Sequence, residues 1–112
     1  MDSEYVMIVS TCADMESARR IAGILVDKRL VACAQLFPIV SIYTWQGKAC
    51  EDDEVMLFLK SKTALYDEIA AAIKESHPYD VPEIIQIPIT DGLPDYLRWI
   101  DDSVSDGQGN SQ

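Results

Sequence analysis

The fold is decided by the stretch Val31-Ala32-Cys33-Ala34-Gln35-Leu36-Phe37-Pro38-Ile39-Val40-Ser41-Ile42-Tyr43-Thr44-Trp45-Gln46-Gly47-Lys48, which is followed by a second apolar run that reaches Lys60. β-Branched and aromatic residues fill both runs, and Gln46-Gly47 supplies a two-residue turn between them. The two runs therefore predict a long antiparallel hairpin. Pro38 has no amide proton for a sheet hydrogen bond, so it predicts a bulge or an edge position in the first arm.

This hairpin is too long for a small domain to cover. Each arm has about 13 residues and extends ~43 Å at ~3.3 Å per residue. The outer part of the first arm carries Ile39, Val40, Ile42, Tyr43 and Trp45. Exposed apolar side chains and unpaired strand edges favour association, and closed symmetry is the usual result. We therefore predict an oligomer whose copies cover one another's hairpins; the alternative is that Tyr43 and Trp45 fill an internal core.

Helices and strands flank the hairpin. Tyr5–Thr11 is a short β-branched run that predicts a central strand. Glu83–Thr90 predicts another strand, in which Pro88 indicates either an edge position or the end of the strand. Apolar residues at helical spacing predict one helix after Asp14, with Lys28 and Arg29 in its last turn, and a second helix capped by Thr63. A third, short helix is predicted from Pro94.

The resulting order is β-α-β-β-α-β with an added helix. This order is typical of an α+β, ferredoxin-like fold, in which two helices cover one face of an antiparallel sheet. Here the sheet carries the long β-hairpin, and an extra C-terminal helix follows it. We predict a single domain over residues 1–104, and a flexible C-terminal tail over residues 105–112, because the tail has almost nothing apolar to bury.

Composition excludes several classes of partner. The 112 residues carry a formal net charge of −10, which repels nucleic acid and anionic membrane surfaces. The three cysteines are an odd number and lack a Cys-x-x-Cys spacing, so a disulfide framework is not indicated. The first residues are acidic where a secretory leader is basic, and no apolar stretch approaches ~18 residues. We expect a cytoplasmic protein.

Four segments resemble the CutA family of divalent-cation tolerance proteins. Leu30–Pro38 is similar to the stretch after the first helix of that family, and Ser41–Lys48 to its aromatic hairpin tip. Leu59–Lys62 is similar to its strand-to-helix junction, and His77–Glu83 matches its His-Pro-Tyr-x-x-Pro-Glu motif. The resemblance implies a tight homotrimer, similar in architecture to the PII signalling proteins, with a role in divalent-metal tolerance and copper binding.

The candidate metal ligands are His77, Cys12 and Glu83. His77 is the only histidine, and imidazole and thiolate are donors that suit copper. CutA proteins associated with copper have a Cys-Thr pair at the end of the first strand, whereas this chain has Ser10-Thr11 there and Cys12 beyond it. Ligands from neighbouring copies would complete such a site. The alternative is that His77 bonds backbone carbonyls near a helix end and that Cys12 is a small buried side chain.

Nothing in the sequence predicts catalysis or a required cofactor. A phosphate-binding glycine loop and a Gly-x-Ser-x-Gly elbow are both absent from the sequence. We therefore expect a protein that is not an enzyme and that binds divalent cations weakly or at shared sites. The alternative is a PII-like signalling or interaction module that binds a protein or a small ligand between subunits, for which Tyr79 and Glu83 are candidate lining residues.

Overall fold

A computed structural model describes residues 3–105 and confirms the mixed α+β architecture. Four strands and three helices follow one another in the predicted order. The elements are β1 (Tyr5–Cys12), α1 (Met15–Asp27), β2 (Cys33–Trp45), β3 (Lys48–Lys62), α2 (Tyr66–Ser76), β4 (Ile84–Ile89) and α3 (Pro94–Ser103). The predicted tail lies outside the described residues from position 106 onward, and its flexibility stays a prediction.

The sheet is antiparallel throughout, with the strand order β2-β3-β1-β4. β1 is central, as predicted, and β2 and β4 are the two edges. The prediction that Pro38 and Pro88 lie on edge strands is therefore confirmed. The β2–β3 register runs without a break from Cys33 opposite Lys60 to Trp45 opposite Lys48, so the alternative of a bulge at Pro38 is wrong.

The hairpin is closed by the two-residue turn that its sequence predicts. Gln46 and Gly47 both have positive φ angles, 51° and 79°. Positive φ at both central positions is the mark of a type I′ turn, whose twist matches that of the flanking strands. The subunit is correspondingly elongated, with principal extents of 45 × 27 × 22 Å.

One face of the sheet packs against α1 and α2 and forms the core. Side chains from the two central strands, among them Ile8, Leu57 and Leu59, are fully buried there because alternate strand residues point to the same face. The helices contribute their apolar stripes, namely Ala18, Ile21, Leu25, Ile69 and Ile73. Two helices on one face of the sheet were predicted and are present.

α3 packs on the opposite face of the sheet. Tyr5 and Lys62 are paired across β1 and β3, so their side chains share the face opposite Val6 and the core. The Tyr5 hydroxyl donates to Asp101 Oδ2 of α3 at 2.6 Å, and Lys62 Nζ lies 2.8 Å from Asp101 Oδ1. Ile100 of the same helix is fully buried. α3 therefore covers the end of this face that is remote from the hairpin turn.

The predicted helix ends are partly wrong. Asp14 does cap α1, since its carboxylate accepts the Ser17 N–H at 2.8 Å, but α1 ends at Asp27, before Lys28 and Arg29. Arg29 instead takes a left-handed conformation, with φ of 57°, and its guanidinium donates to the carbonyls of Asp102, Ser103 and Val104 at the C-terminal end of α3. Its charge therefore meets the C-terminal end of a different helix, where cations are favoured.

Thr63 does not cap α2 as predicted. A single 3-10 turn, Thr63–Leu65, precedes α2, and the Thr63 hydroxyl donates to the Ser3 carbonyl at 2.6 Å. This bond ties the end of β3 to the chain that enters β1. Within residues 3–105, no helix is long and apolar enough to span a membrane.

Candidate functional site

His77 follows the last residue of α2, where the sequence places a helix end. Pro78 disfavours helical angles for the residue before it, and His77 is extended, with φ of −88° and ψ of 135°. The side chain turns inward and is only 7% exposed. A polar ring buried this far needs hydrogen-bond partners on both nitrogens.

Both ring nitrogens of His77 are engaged by backbone groups. Nε2 lies 2.6 Å from the Thr11 carbonyl oxygen, and Nδ1 accepts the Tyr79 N–H at 3.1 Å. A carbonyl can only accept and an amide can only donate, so the pair fixes a neutral imidazole with its proton on Nε2. In this arrangement neither nitrogen has a free lone pair for a metal ion.

Cys12 lies beside His77. It ends β1 on the face that also carries Ser10, it is 1% exposed, and its Sγ is 4.0 Å from His77 Nε2. Burial is the main reason that the pKa of the Cys12 thiol rises to about 11, and the neighbouring Asp14 carboxylate raises it further. The thiol is therefore protonated at neutral pH, whereas a metal ligand must be the thiolate.

Glu83 does not join His77 and Cys12. It is exposed and lines a cleft, and neither His77 nor Cys12 is among the lining residues of that cleft. Among residues 3–105, no group of three or more His, Cys, Asp or Glu side chains is arranged to hold a metal ion. Of the three candidate ligands, the fold brings two together in the interior and leaves the third at the surface.

The cleft has a volume of about 610 Å³ and lies between the hairpin and the segment that leads into β4. We call it the hairpin cleft. Its lining consists of aromatic rings, carboxylates and a few small side chains: Thr11, Ser41, Ile42, Tyr43, Trp45, Glu54, Tyr79, Asp80, Val81 and Glu83. The sequence suggested Tyr79 and Glu83 as lining residues of a pocket between subunits; in the structure both line this cleft of one subunit, together with Glu54 and Asp80, which the sequence did not single out.

Two phenol–carboxylate pairs hold the aromatic walls of the hairpin cleft in place. The Tyr79 hydroxyl donates to Glu54 Oε2 at 3.1 Å, and the Tyr43 hydroxyl donates to Asp52 Oδ2. The Tyr79 ring also rests against His77, with ring centroids 4.6 Å apart. Tyr43 and Trp45 are 41% and 58% exposed in the subunit, so the alternative that they fill an internal core is wrong.

Residues 6–103 match the family profile described as CutA1 divalent ion tolerance protein. This match spans nearly the whole described chain. The chain belongs to the CutA family. The divalent-cation tolerance protein CutA of Pyrococcus horikoshii is 43% identical over 95 residues, which are 85% of this chain and 93% of that protein. Protein CutA of Mus musculus is 42% identical over 91 residues, but this chain spans only 51% of its length.

Solved CutA structures have the same fold. CutA1 from Oryza sativa superposes with a TM-score of 0.91 at 34% identity and covers 95% of this chain and 98% of its own. CutA from Archaeoglobus fulgidus, which is described as a periplasmic divalent cation tolerance protein, gives a TM-score of 0.89 at 37% identity, with 90% of this chain and 99% of its own covered. The predicted family and fold are thereby confirmed.

Ser10 occupies the position where the resemblance leads us to expect the cysteine of a Cys-Thr pair. Its side chain is 1% exposed, and its hydroxyl finds no hydrogen-bond partner within the described residues. A buried, unpaired hydroxyl costs ~1–3 kcal/mol relative to a satisfied one. Cys12 lies two residues further along the same strand face, with its sulfur beside His77 rather than beside Glu83.

Proposed function

We propose that this CutA chain acts as a homotrimer in divalent-cation tolerance and binds divalent cations, copper included, weakly at sites shared between copies. This proposal rests on the observation that the candidate metal-ligating side chains of one copy do not converge on one point. The described residues of one copy form no three-ligand group, so a multidentate site needs donors from more than one copy. The family's name for its members supports the link to divalent cations.

The exposed hairpin supports the association step. Val40 is 60% exposed, and Ile85 and Ile87 on β4 are 48% and 43% exposed, which leaves apolar side chains on both edge strands. β2 and β4 form opposite edges of the sheet. A contact between β2 of one copy and β4 of the next therefore joins two different surfaces, which makes it a head-to-tail contact. Such contacts close into a ring when the rotation permits. The family resemblance supplies the number three.

Glu83 is the candidate ligand that a cation can reach without rearrangement, because it is exposed. His77 would first have to release Tyr79 or Thr11, and Cys12 would have to lose a tightly held proton. Weak binding through oxygen donors at the surface of the assembly is therefore the form of cation binding that we propose.

Native mass spectrometry of the full chain tests the subunit count and the bound ions together. After treatment with a chelator and titration with Cu(II) or Zn(II), we expect a trimer that gains ions reversibly. Glu83→Gln should lower the ion occupancy, whereas Glu16→Gln, the same change on exposed α1 surface outside the cleft, should leave it unchanged. A monomer, or a trimer that takes up no ion at millimolar metal, would refute the proposal.

We also propose that the chain binds rather than catalyses and that it is cytoplasmic. Both nitrogens of His77 are occupied and the Cys12 thiol is protonated, so neither is poised as a base or a nucleophile. All three cysteines are free, as a reducing compartment would keep them. Turnover of an aryl or acyl phosphate, or recovery in a non-cytoplasmic fraction of the native cell, would contradict these statements.

A further inference from the structure

We propose that His77 serves the cation site as a positioning residue and not as a ligand. Its ring closes the loop of residues 78–83 onto the end of β1, and the closed loop holds Asp80 on the same wall of the hairpin cleft as Glu83. This inference rests on the proposed function, in which Glu83 binds divalent cations at a site shared between copies. It adds a second oxygen donor from the same copy and gives a role to the only histidine of the chain.

The loop of residues 78–83 is held at both ends by neighbouring residues of β1. Before the loop starts, His77 Nε2 lies 2.6 Å from the Thr11 carbonyl oxygen. After the loop ends, Ile84 begins β4 and is paired with Ser10, the residue next to Thr11. A surface segment whose two ends are held side by side is a compact, closed loop. His77 supplies the closing contact at one of these ends.

The two carboxylates of the loop are fixed by different contacts. Glu83 directly precedes Ile84, so the pairing of β4 with β1 sets its position. Asp80 directly follows Tyr79, whose amide donates to His77 Nδ1 at 3.1 Å and whose hydroxyl donates to a carboxylate of β3. The position of Asp80 therefore depends on His77, whereas that of Glu83 is set by the sheet.

The two hydrogen bonds of the His77 ring depend on each other. Because Nε2 donates to the Thr11 carbonyl, Nδ1 carries no proton and can accept the Tyr79 N–H. The ring is only 7% exposed, so water does not compete for either bond, and the Tyr79 ring rests against it with centroids 4.6 Å apart. One buried imidazole thereby connects the end of β1 to the first half of the loop.

Asp80 and Glu83 together suit weak binding of a divalent cation. Both are exposed in the subunit and line the hairpin cleft. A divalent cation takes ~4–8 donors, so two carboxylates leave positions for water and for donors of a neighbouring copy. This agrees with the finding that the described residues of one copy form no three-ligand group. Because Asp80 is held in place before the ion arrives, less conformational entropy is lost on binding.

Two substitutions of His77 separate its two hydrogen bonds. An asparagine amide oxygen lies near the position of Nδ1, so His77→Asn keeps an acceptor for the Tyr79 N–H and loses the bond to Thr11. A glutamine amide nitrogen lies near the position of Nε2, so His77→Gln keeps the bond to Thr11 and loses the acceptor. Thr11 is 5% exposed and Tyr79 is 38% exposed. His77→Asn, which leaves the more buried group unpaired, should therefore unfold at a lower denaturant concentration than His77→Gln.

Loop order and cation binding should follow the opposite order. In chelator, hydrogen exchange at the Asp80 and Val81 amides of the full chain should be ~5-fold faster or more in His77→Gln but change less than ~2-fold in His77→Asn. The Kd for Cu(II), from native mass spectrometry of the assembled chain, should rise ~3-fold or more in His77→Gln and less than ~2-fold in His77→Asn. General destabilisation would weaken binding more in His77→Asn, and loss of a ligand would weaken it equally in both variants.

Stability measurements alone cannot replace the measurement of bound ions. At Cu(II) concentrations well below the Kd, the bound ion adds almost nothing to the free energy of unfolding. The loss of stability in each His77 variant should therefore be the same in chelator and in dilute copper. The number of bound ions near the Kd reports how the loop is positioned.

A matched pair of variants tests Asp80 itself. Asp80→Asn should raise the Kd for Cu(II) ~3-fold or more, whereas Asp67→Asn, the same change on the exposed surface of α2 outside the cleft, should raise it less than ~1.5-fold. Equal Cu(II) binding by the two His77 variants, or unchanged binding by Asp80→Asn, would overturn the inference. An unsubstituted chain that takes up no ion refutes the proposed function and this inference with it, whereas normal uptake with unaffected variants refutes this inference alone.

Discussion

Replacement of His77 by phenylalanine should destabilise the protein even when no metal is present. Phenylalanine keeps a planar ring of similar size against Tyr79, but it can neither donate to the Thr11 carbonyl nor accept the Tyr79 N–H. The variant therefore removes two hydrogen bonds and preserves most of the packing. Its effect distinguishes a structural role of His77 from a role as a metal ligand.

The expected loss follows from the burial of the two groups left without a partner. Thr11 is 5% exposed, so an orphaned carbonyl there costs ~1–3 kcal/mol, whereas the Tyr79 amide belongs to a residue that is 38% exposed and can be rehydrated for ~0.5 kcal/mol. The free energy of unfolding should fall by ~1.5–3.5 kcal/mol in total. Tyr79→Phe, which removes only the partly exposed bond to Glu54, should cost ~0.5 kcal/mol and serves as the control.

The assay is guanidinium unfolding at one fixed chain concentration, in the presence of a chelator and again with added Cu(II). A structural His77 predicts the same loss in both conditions. If the His77→Phe variant matches the unsubstituted chain in chelator and is weaker only in copper, then His77 is a metal ligand, and the assignment of both nitrogens to backbone groups is wrong.

Three further predictions concern the thiols, the end of α3 and assembly. Because the pKa of the Cys12 thiol is raised to about 11, its contribution to stability should be complete below pH ~8.5 and lost as the pH rises towards 11. At pH 8, iodoacetamide should modify native Cys33 and Cys50 but spare Cys12, as measured by peptide mass spectrometry. Arg29→Ala frees three carbonyls at the C-terminal end of α3 and should speed hydrogen exchange in residues 94–103, with little change in α1. Val40→Lys adds a charge to an exposed edge strand and should lower the sedimentation coefficient; an unchanged coefficient would show that this edge is not an interface.

The fold could be predicted because its strongest patterns act locally. Gln46-Gly47 between two β-branched runs specifies a hairpin, and Pro38 and Pro88 specify edges because neither can donate to a neighbouring strand. Helix ends were harder to predict. Arg29 was expected in the last turn of α1, but it lies beyond the helix and bonds the end of α3, a partner 73–75 residues away that no local pattern reveals.

The candidate site was predicted only in part, for the same reason. His77 and Cys12 are 65 residues apart and meet because β1 extends as far as Cys12 and Pro78 stops α2 just before the histidine. In the sequence, Glu54 is one of four consecutive acidic residues on the second arm of the hairpin. Only its hydrogen bond with the Tyr79 hydroxyl distinguishes it from the other three. Partners contributed by distant segments depend on tertiary packing, which spacing along the chain does not encode.

The unbroken pairing of the hairpin makes the chain sensitive to changes of length. Loss of one residue between Ile39 and Ile42 would move every side chain beyond that point to the other surface of the ribbon. Tyr43 and Trp45 would then turn away from Glu54 and Tyr79, although the core beneath α1 and α2 would be intact. Single deletions between Ile39 and Ile42 should therefore yield proteins that fold but have lost the aromatic wall of the cleft.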